Sequence, residues 1–272
     1  LAAPVEAEAM VVECGASVRG EIQRMQAIVR PDVAVVTNVD AGHLEGFGGL
    51  AQVLEEKVAL LAGAPTAVVG LKPPELADAA RRAAGRVVTA GMQPGADWTA
   101  EDVTLLEGGR PHFRVRGVQI ELALRGRHMV DNALIALAAA DAVGVGLADA
   151  AHALAHARIP GGRSEVFEVD GMTVINDCYN ANPNSLRAAL DLLGAIRGDR
   201  RAVVVVGTMR ELGTASADLH AAAAEAVLAV NPGLVVAIGE FAPAFEQLAA
   251  HGDAGRLVTG ATPEAVGPAL RE

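Results

Sequence analysis

Asn176-Asp177-Cys178-Tyr179-Asn180-Ala181-Asn182-Pro183-Asn184-Ser185-Leu186-Arg187-Ala188-Ala189-Leu190-Asp191 follows directly on the apolar run Met172-Thr173-Val174-Ile175. Its first half is a polar cluster. Its second half repeats apolar residues at Leu186, Ala189, Leu190 and Leu193, which is helical spacing. Pro183 suits the first turn of a helix, where a missing N–H costs nothing, and Asn182 suits the cap before it. The cluster therefore marks a point where a strand ends and a helix begins. In open α/β sheets that crevice is where ligands bind. Asn, Asp and Pro are also ordinary residues of a polar strand-to-helix turn, so these residues alone leave both readings open.

Outward from this stretch, strand and helix patterns alternate. Ala9–Cys14 reads as a short buried strand ending near Glu13, Arg19–Val29 as a helix, Val33–Thr37 as a strand and Leu50–Leu61 as a helix. Ala67–Val69, Pro74–Ala84 and Arg86–Thr89 continue the rhythm. Such alternation predicts a mostly parallel sheet covered by helices. Residues 97–124 break it with hairpin-like alternation around Glu107-Gly108-Gly109-Arg110, and helices follow at about 129–143 and 147–156. Ile159-Pro160-Gly161-Gly162 is a run of breakers and the best domain boundary. Beyond it come strand patterns at Ser164–Val169 and Met172–Ile175 and the helix from Pro183. Ala202–Val206, a helix near 217–230, Leu234–Ile238, a helix near 242–249, Arg256–Val258 and a last helix from Pro263 complete the order. The expected fold class is α/β. A central, mostly parallel sheet of ATPase type with an antiparallel insertion occupies residues 1–160, and a Rossmann-like α/β domain occupies 161–272.

Composition bounds the function. Of 272 residues, 51% are hydrophobic and 20% charged, enough for two domains with aliphatic cores, since aromatics are only 3%. A net charge of −11 argues against a nucleic-acid backbone as partner, though helix N-termini and single arginines can still hold an anionic ligand. Cys14 and Cys178 form no metal spacing and no redox pair, which points to a reduced, cytoplasmic setting. No apolar run approaches the roughly 18 residues that span a bilayer. No nicotinamide fingerprint follows any strand, which weighs against a dehydrogenase.

Several residues suit phosphate and metal chemistry. Glu13 is either a solvated strand end or a carboxylate placed to hold Mg²⁺ beside a phosphate. His43, in Thr37-Asn38-Val39-Asp40-Ala41-Gly42-His43-Leu44-Glu45, is either a solvated loop residue or a metal ligand. Lys57, in Glu55-Glu56-Lys57, reads locally as part of a solvated charged face. Gly15–Gly20 has the outline of a phosphate loop, but Glu21-Ile22 follows where Lys and Ser/Thr would be needed, so it is not a Walker A loop. His220 reads as a helix-surface histidine.

The order of these motifs resembles the Mur ligase family. Asp177-x-Tyr-Asn-Ala-Asn-Pro-x-Ser-x-Arg-Ala-Ala-Leu190 resembles a long signature of its D-alanyl-D-alanine-adding branch. Val-x-Glu13-x-Gly-Ala-Ser, Thr37-Asn38 to Gly48, Gly126-x-His128 to Asn132-Ala133, Gly162-Arg163-x-Glu165 and Gly207-Thr208-Met209-Arg210-Glu211-Leu212-Gly213 resemble further family motifs in the same order. Asp40-Ala41-Gly42 and Thr208 depart from the commoner spellings. The resemblance implies an ATP-dependent amide ligase that uses Mg²⁺ and joins D-Ala-D-Ala to UDP-MurNAc-tripeptide through an acyl phosphate. It implies Glu13, His43 and a carbamylated Lys57 at the metal, with Lys57, His43 and Arg163 serving catalysis. It implies Asn132 against adenine, Arg163 on the phosphates, Asp177 on the ribose, and Tyr179, Asn180 and Asn182 around the nucleotide and acceptor. A monomer is expected. The family's P-loop and UDP-binding domain are expected upstream of Leu1, and its last strands beyond Glu272. Folylpolyglutamate synthase and a non-catalytic nucleotide-binding module remain the alternatives.

Overall fold

A computed structural model describes residues 6–40, 44–159, 161–250 and 256–268. The chain divides into two units, one of Leu1–Val103, Phe113–Glu121 and Val130–His156, the other of Thr104–His112, Leu122–Met129 and Ala157–Glu272.

In the first unit, β1 (Val33–Val36), β2 (Thr66–Val69) and β3 (Arg86–Thr89) form a parallel sheet in that order, with Val35 beside Val68 and Val68 beside Val88. Short valine-rich strands buried on both faces are what parallel pairing favours. α1 (Glu21–Val29), α2 (Leu44–Phe47), α3 (Leu50–Val58, ending in a 3₁₀ turn at Ala59–Leu61) and α4 (Glu75–Ala83) surround it. Ala34, Val36, Phe47, Val53, Leu61, Val69 and Leu76 share its core. β4 (Glu101–Leu105), β5 (Pro111–Val115) and β6 (Val118–Glu121) form the inserted sheet in sequential order. Only Arg116 and Gly117 join β5 to β6, both left-handed (φ 48° and 83°), a link that permits antiparallel pairing alone. α5 (Met129–Ala142) and α6 (Leu147–Leu154) follow.

In the second unit, β7 (Glu165–Val169) and β8 (Met172–Asn176) pair antiparallel across the Asp170-Gly171 turn. α7 (Pro183–Ile196) then leads into a parallel sheet of order β11-β10-β9, made by β9 (Val203–Val206), β10 (Leu234–Ile238) and β11 (Arg256–Gly260). α8 (Ser216–Ala229), α9 (Phe241–Ala250) and α10 (Pro263–Val266) connect or flank these strands. Val204, Val206, Met209, Val227, Val235, Phe241 and Phe245 form one core with Leu190 of α7.

Two strand expectations need correction. Ala9–Cys14 forms no strand, and Val11 is 99% exposed. A strand exists only as a pair, and nothing among the described residues pairs with this segment. The strand before the polar cluster, β8, belongs to the hairpin and not to the parallel sheet, because the two-residue turn captures β7 as its partner first.

Candidate functional site

In the first unit the carboxyl end of β1 gathers polar groups. Lys57 lies half-buried in the last turn of α3, and its Nζ donates to the Asn38 carbonyl at 3.1 Å. Burial pushes the Lys57 ammonium below its usual 10.5, while the Asp40 carboxylate pulls the other way. Desolvation wins because a lone carbonyl replaces only part of an ammonium's hydration shell. The adjacent Glu56 corrects the reading of a solvated charged face: it is 8% exposed and accepts from the Gly20 and Ile22 backbone N–H groups at 2.8 and 2.9 Å. It thus supplies the cap that Gly20 lacks at the start of α1. Glu21 accepts from Ser17 N and Val18 N, and these two bonds hold its carboxyl below the usual range. Glu13 is exposed in the irregular segment ahead of this loop. His43 lies outside the described residues.

Asn132 is exposed on the first turn of α5. Sequence reasoning missed the residue beside it. Asp131 accepts from Met92 N at 2.8 Å and from Lys72 Nζ at 3.0 Å, tying the start of α5 to the loops after β3 and β2. Lys72 also accepts Val39 N on its carbonyl at 2.9 Å, so the ends of β1 and β2 are joined as well. The signal available was an acidic residue in a first helical turn, where such residues are favoured for many reasons. The His128 ring packs on its own turn, where a Cβ on Gly126 would meet it at 2.6 Å.

In the second unit the predicted residues do come together. The Asp177 carboxylate accepts from Ser164 N at 2.6 Å, a bond made possible by the left-handed Ser164 (φ 51°). Tyr179 N donates to the Gly162 carbonyl at 3.0 Å, and the Arg163 guanidinium lies 4.2 Å above the Tyr179 ring. Tyr179 is 65% exposed, so this stacked pair faces solvent. Asn180 turns its side chain back onto Ala181 N. Asn182 caps α7 as its position implied: its side chain accepts from Asn184 N and Ser185 N, and Ser185 Oγ accepts in return from Asn182 N.

His220 corrects a second reading. It is 1% exposed, on the face of α8 that also carries Ala223, Ala224 and Val227. That apolar spacing at three, four and seven residues was the signal that placed it inward.

Among the described residues no group of three His, Cys, Asp or Glu could hold a metal ion. Glu13 offers a hard oxygen ligand. Lys57 as an ammonium does not, and would fit a dication only after conversion to a carbamate. Its lowered proton affinity suits that conversion, since the neutral amine is the form that adds CO₂.

Residues 1–140 match the family signature described as the Mur ligase middle domain, and residues 162–267 that of the Mur ligase, glutamate ligase domain. The chain is 31% identical over 223 residues to the UDP-N-acetylmuramoyl-tripeptide–D-alanyl-D-alanine ligase of Bacillus subtilis, covering 81% of this chain and 49% of that protein. The crystal structure of MurF from Acinetobacter baumannii superposes with a TM-score of 0.82 at 30% identity, over 94% of this chain and 56% of that one. MurF from Thermotoga maritima in complex with ADP gives 0.79 at 25% identity, over 94% and 59%. The chain therefore spans about half the length of the relatives it matches. Two matching domain signatures in order, on a two-domain α/β architecture, place this chain in the Mur ligase family.

Proposed function

We propose that the protein carrying this chain is an ATP-dependent ligase that joins D-Ala-D-Ala to UDP-MurNAc-tripeptide in peptidoglycan precursor synthesis. The observation that carries the reading is the cluster of Arg163, Ser164, Asp177 and Tyr179, whose residues fall on the resembled motifs and meet in space. The reaction has two displacements. A carboxylate oxygen of the tripeptide attacks the γ-phosphorus of ATP and ADP leaves, giving an acyl phosphate. The amine of D-Ala-D-Ala then adds to the acyl carbon, loses a proton, and inorganic phosphate departs as the amide forms. Such a mechanism asks the protein chiefly for alignment and charge neutralisation.

This chain's own residues fit those tasks. Arg163, held flat by Tyr179, supplies fixed donors for phosphate oxygens. Asp177 has one oxygen committed to Ser164 N, which orients the other toward a ribose hydroxyl. Asn132 offers an amide to the adenine edge from the first turn of α5. Tyr179, Asn180 and Asn182 shape the acceptor side, with Asn182 acting through the helix that it caps. Mg²⁺, held by Glu13, His43 and a carbamylated Lys57, would supply neutralisation of phosphate charge. We assign the central domain to residues 1–160 and the C-terminal domain to 161–272, and take the protein as a cytoplasmic monomer.

Phosphate release from ATP by the full-length protein tests the reading, with UDP-MurNAc-tripeptide present and D-Ala-D-Ala added or withheld. Sustained release that needs both substrates, and falls at least about tenfold in Asp177→Ala, is expected. Release indifferent to either substrate would refute it.

A further inference from the structure

The turn Gly207–Gly213 leaves the carboxyl end of β9, at the edge where open α/β sheets hold their ligands. It contains little regular structure: Glu211 is left-handed (φ 62°), and only Met209 and Leu212 plug into the core, at 1% and 2% exposure. Side chains hold it instead. The Met209 N–H donates to His220 Nε2 at 3.0 Å. His220 Nδ1 lies 2.8 Å from the Ser216 carbonyl, and the edge of the ring meets Phe241 at 4.7 Å between centroids. A backbone N–H can only donate and a carbonyl can only accept, so the imidazole is neutral with its proton on Nδ1. Ser216 Oγ, 3.2 Å from Nδ1, donates to the Glu240 carboxylate. Glu240 N in turn donates to Thr208 Oγ1 at 3.1 Å, and a Cβ on the left-handed Gly239 would sit 2.3 Å from that same oxygen. One buried imidazole thus ties the turn after β9 to the first turn of α8, and Ser216, Glu240 and Thr208 close the loop through the turn after β10.

We propose that His220 is a positioning residue of the ligase: it fixes the Gly207–Gly213 turn so that this edge of the crevice is preformed for the amine acceptor, D-Ala-D-Ala. The proposal rests on the function given above. His220 touches no reacting atom in this account. It acts by giving Met209 N–H an acceptor inside the core, where an unpaired donor would otherwise drive the turn out toward water.

Two variants separate positioning from packing. His220→Leu fills the space but offers no acceptor, whereas His220→Gln can place an amide oxygen near the Nε2 position. Hydrogen exchange at Met209 N–H, with Val236 N–H in β10 as the core reference, is measured alongside steady-state kinetics of the full-length protein. In His220→Leu, Met209 exchange should quicken about tenfold with Val236 unchanged, and KM for D-Ala-D-Ala should rise about tenfold with little change in kcat. His220→Gln should restore both toward wild type. Met209 staying protected in His220→Leu, or released with KM unmoved, would overturn the proposal. If His220→Leu unfolds globally, His220→Gln decides: Met209 protection and KM for D-Ala-D-Ala should be kept together or lost together, and a folded variant in which one changes without the other overturns the proposal. A wild-type protein without ligase turnover would refute the function instead, and the exchange data would then decide the latch alone.

Discussion

Burial of the Lys57 ammonium removes hydration that its hydrogen bond to the Asn38 carbonyl does not fully replace, and the lowered proton affinity is the result. Between that lowered pKa and the usual 10.5, the unfolded chain holds a proton that the folded chain has released. Stability should therefore rise with pH across this window in CO₂-depleted buffer, and fall as pH drops through the folded-state pKa. Urea unfolding at several pH values checks it: Lys57→Met should flatten the slope, and an unchanged slope would mean that another group titrates. Under the proposed function the same affinity suits Lys57 to add CO₂, so removing CO₂ should lower ligase activity and added bicarbonate should restore it. Asp177 invites a finer comparison. Asp177→Asn keeps an oxygen for Ser164 N but loses the charge, so it should weaken nucleotide binding less than Asp177→Ala, by titration calorimetry. At this scale the sequence announced Asp177 and Tyr179 through their neighbours in the motif. It did not announce Glu56 or Asp131, because each works through a backbone N–H contributed by a distant part of the chain, whereas the apolar spacing around His220 signalled its burial but not its bond from Met209 N.

Helix ends and tight turns carry the element-level energetics. Asn182→Ala removes the side-chain half of the capping box on α7, its bonds from Asn184 N and Ser185 N, while the backbone N–H can still donate to Ser185 Oγ; it should cost about 1 kcal/mol, within a range of about 0.5–2, measured by denaturant midpoint. Glu56→Ala strips buried acceptors from two N–H groups at the start of α1 and should cost more, about 2–4 kcal/mol. Gly109 is left-handed (φ 79°), and a Cβ there would lie 2.5 Å from Leu192 on α7, so Gly109→Ala combines backbone strain with overpacking. A loss of about 2–4 kcal/mol is expected from those two causes together, and a neutral effect would show that α7 shifts freely. The alternation of short valine-rich strands and helices was readable from Val33 to Thr89 and from Val203 to Gly260, since each element there has its own period. Pairing was less readable. Met172–Ile175 has the composition of a buried strand, yet Asp170-Gly171 gives it a hairpin partner, and that dipeptide was the available signal. Ala9–Cys14 shows the limit from the other side, because an apolar run names a strand candidate without naming a partner.

Each of the two units has its own core, one around Leu61 and Leu76, the other around Phe241 and Phe245. Leu76→Ala and Phe245→Ala should each cost about 2–5 kcal/mol, and the double variant should lose their sum within about 0.5 kcal/mol, by calorimetry. Strong non-additivity would mean that the cores are not energetically separate. In the chemistry proposed, the first unit offers Glu13, Lys57 and Asn132 and the second Arg163 and Asp177. Transfer of an oxygen atom tests that chemistry most directly. UDP-MurNAc-tripeptide labelled with ¹⁸O in its reacting carboxylate is turned over by the full-length protein with ATP and D-Ala-D-Ala, and the phosphate is analysed by mass. An acyl phosphate requires one labelled oxygen per inorganic phosphate released, with the label absent from ADP. Unlabelled phosphate accompanying amide formation would contradict the account at its centre.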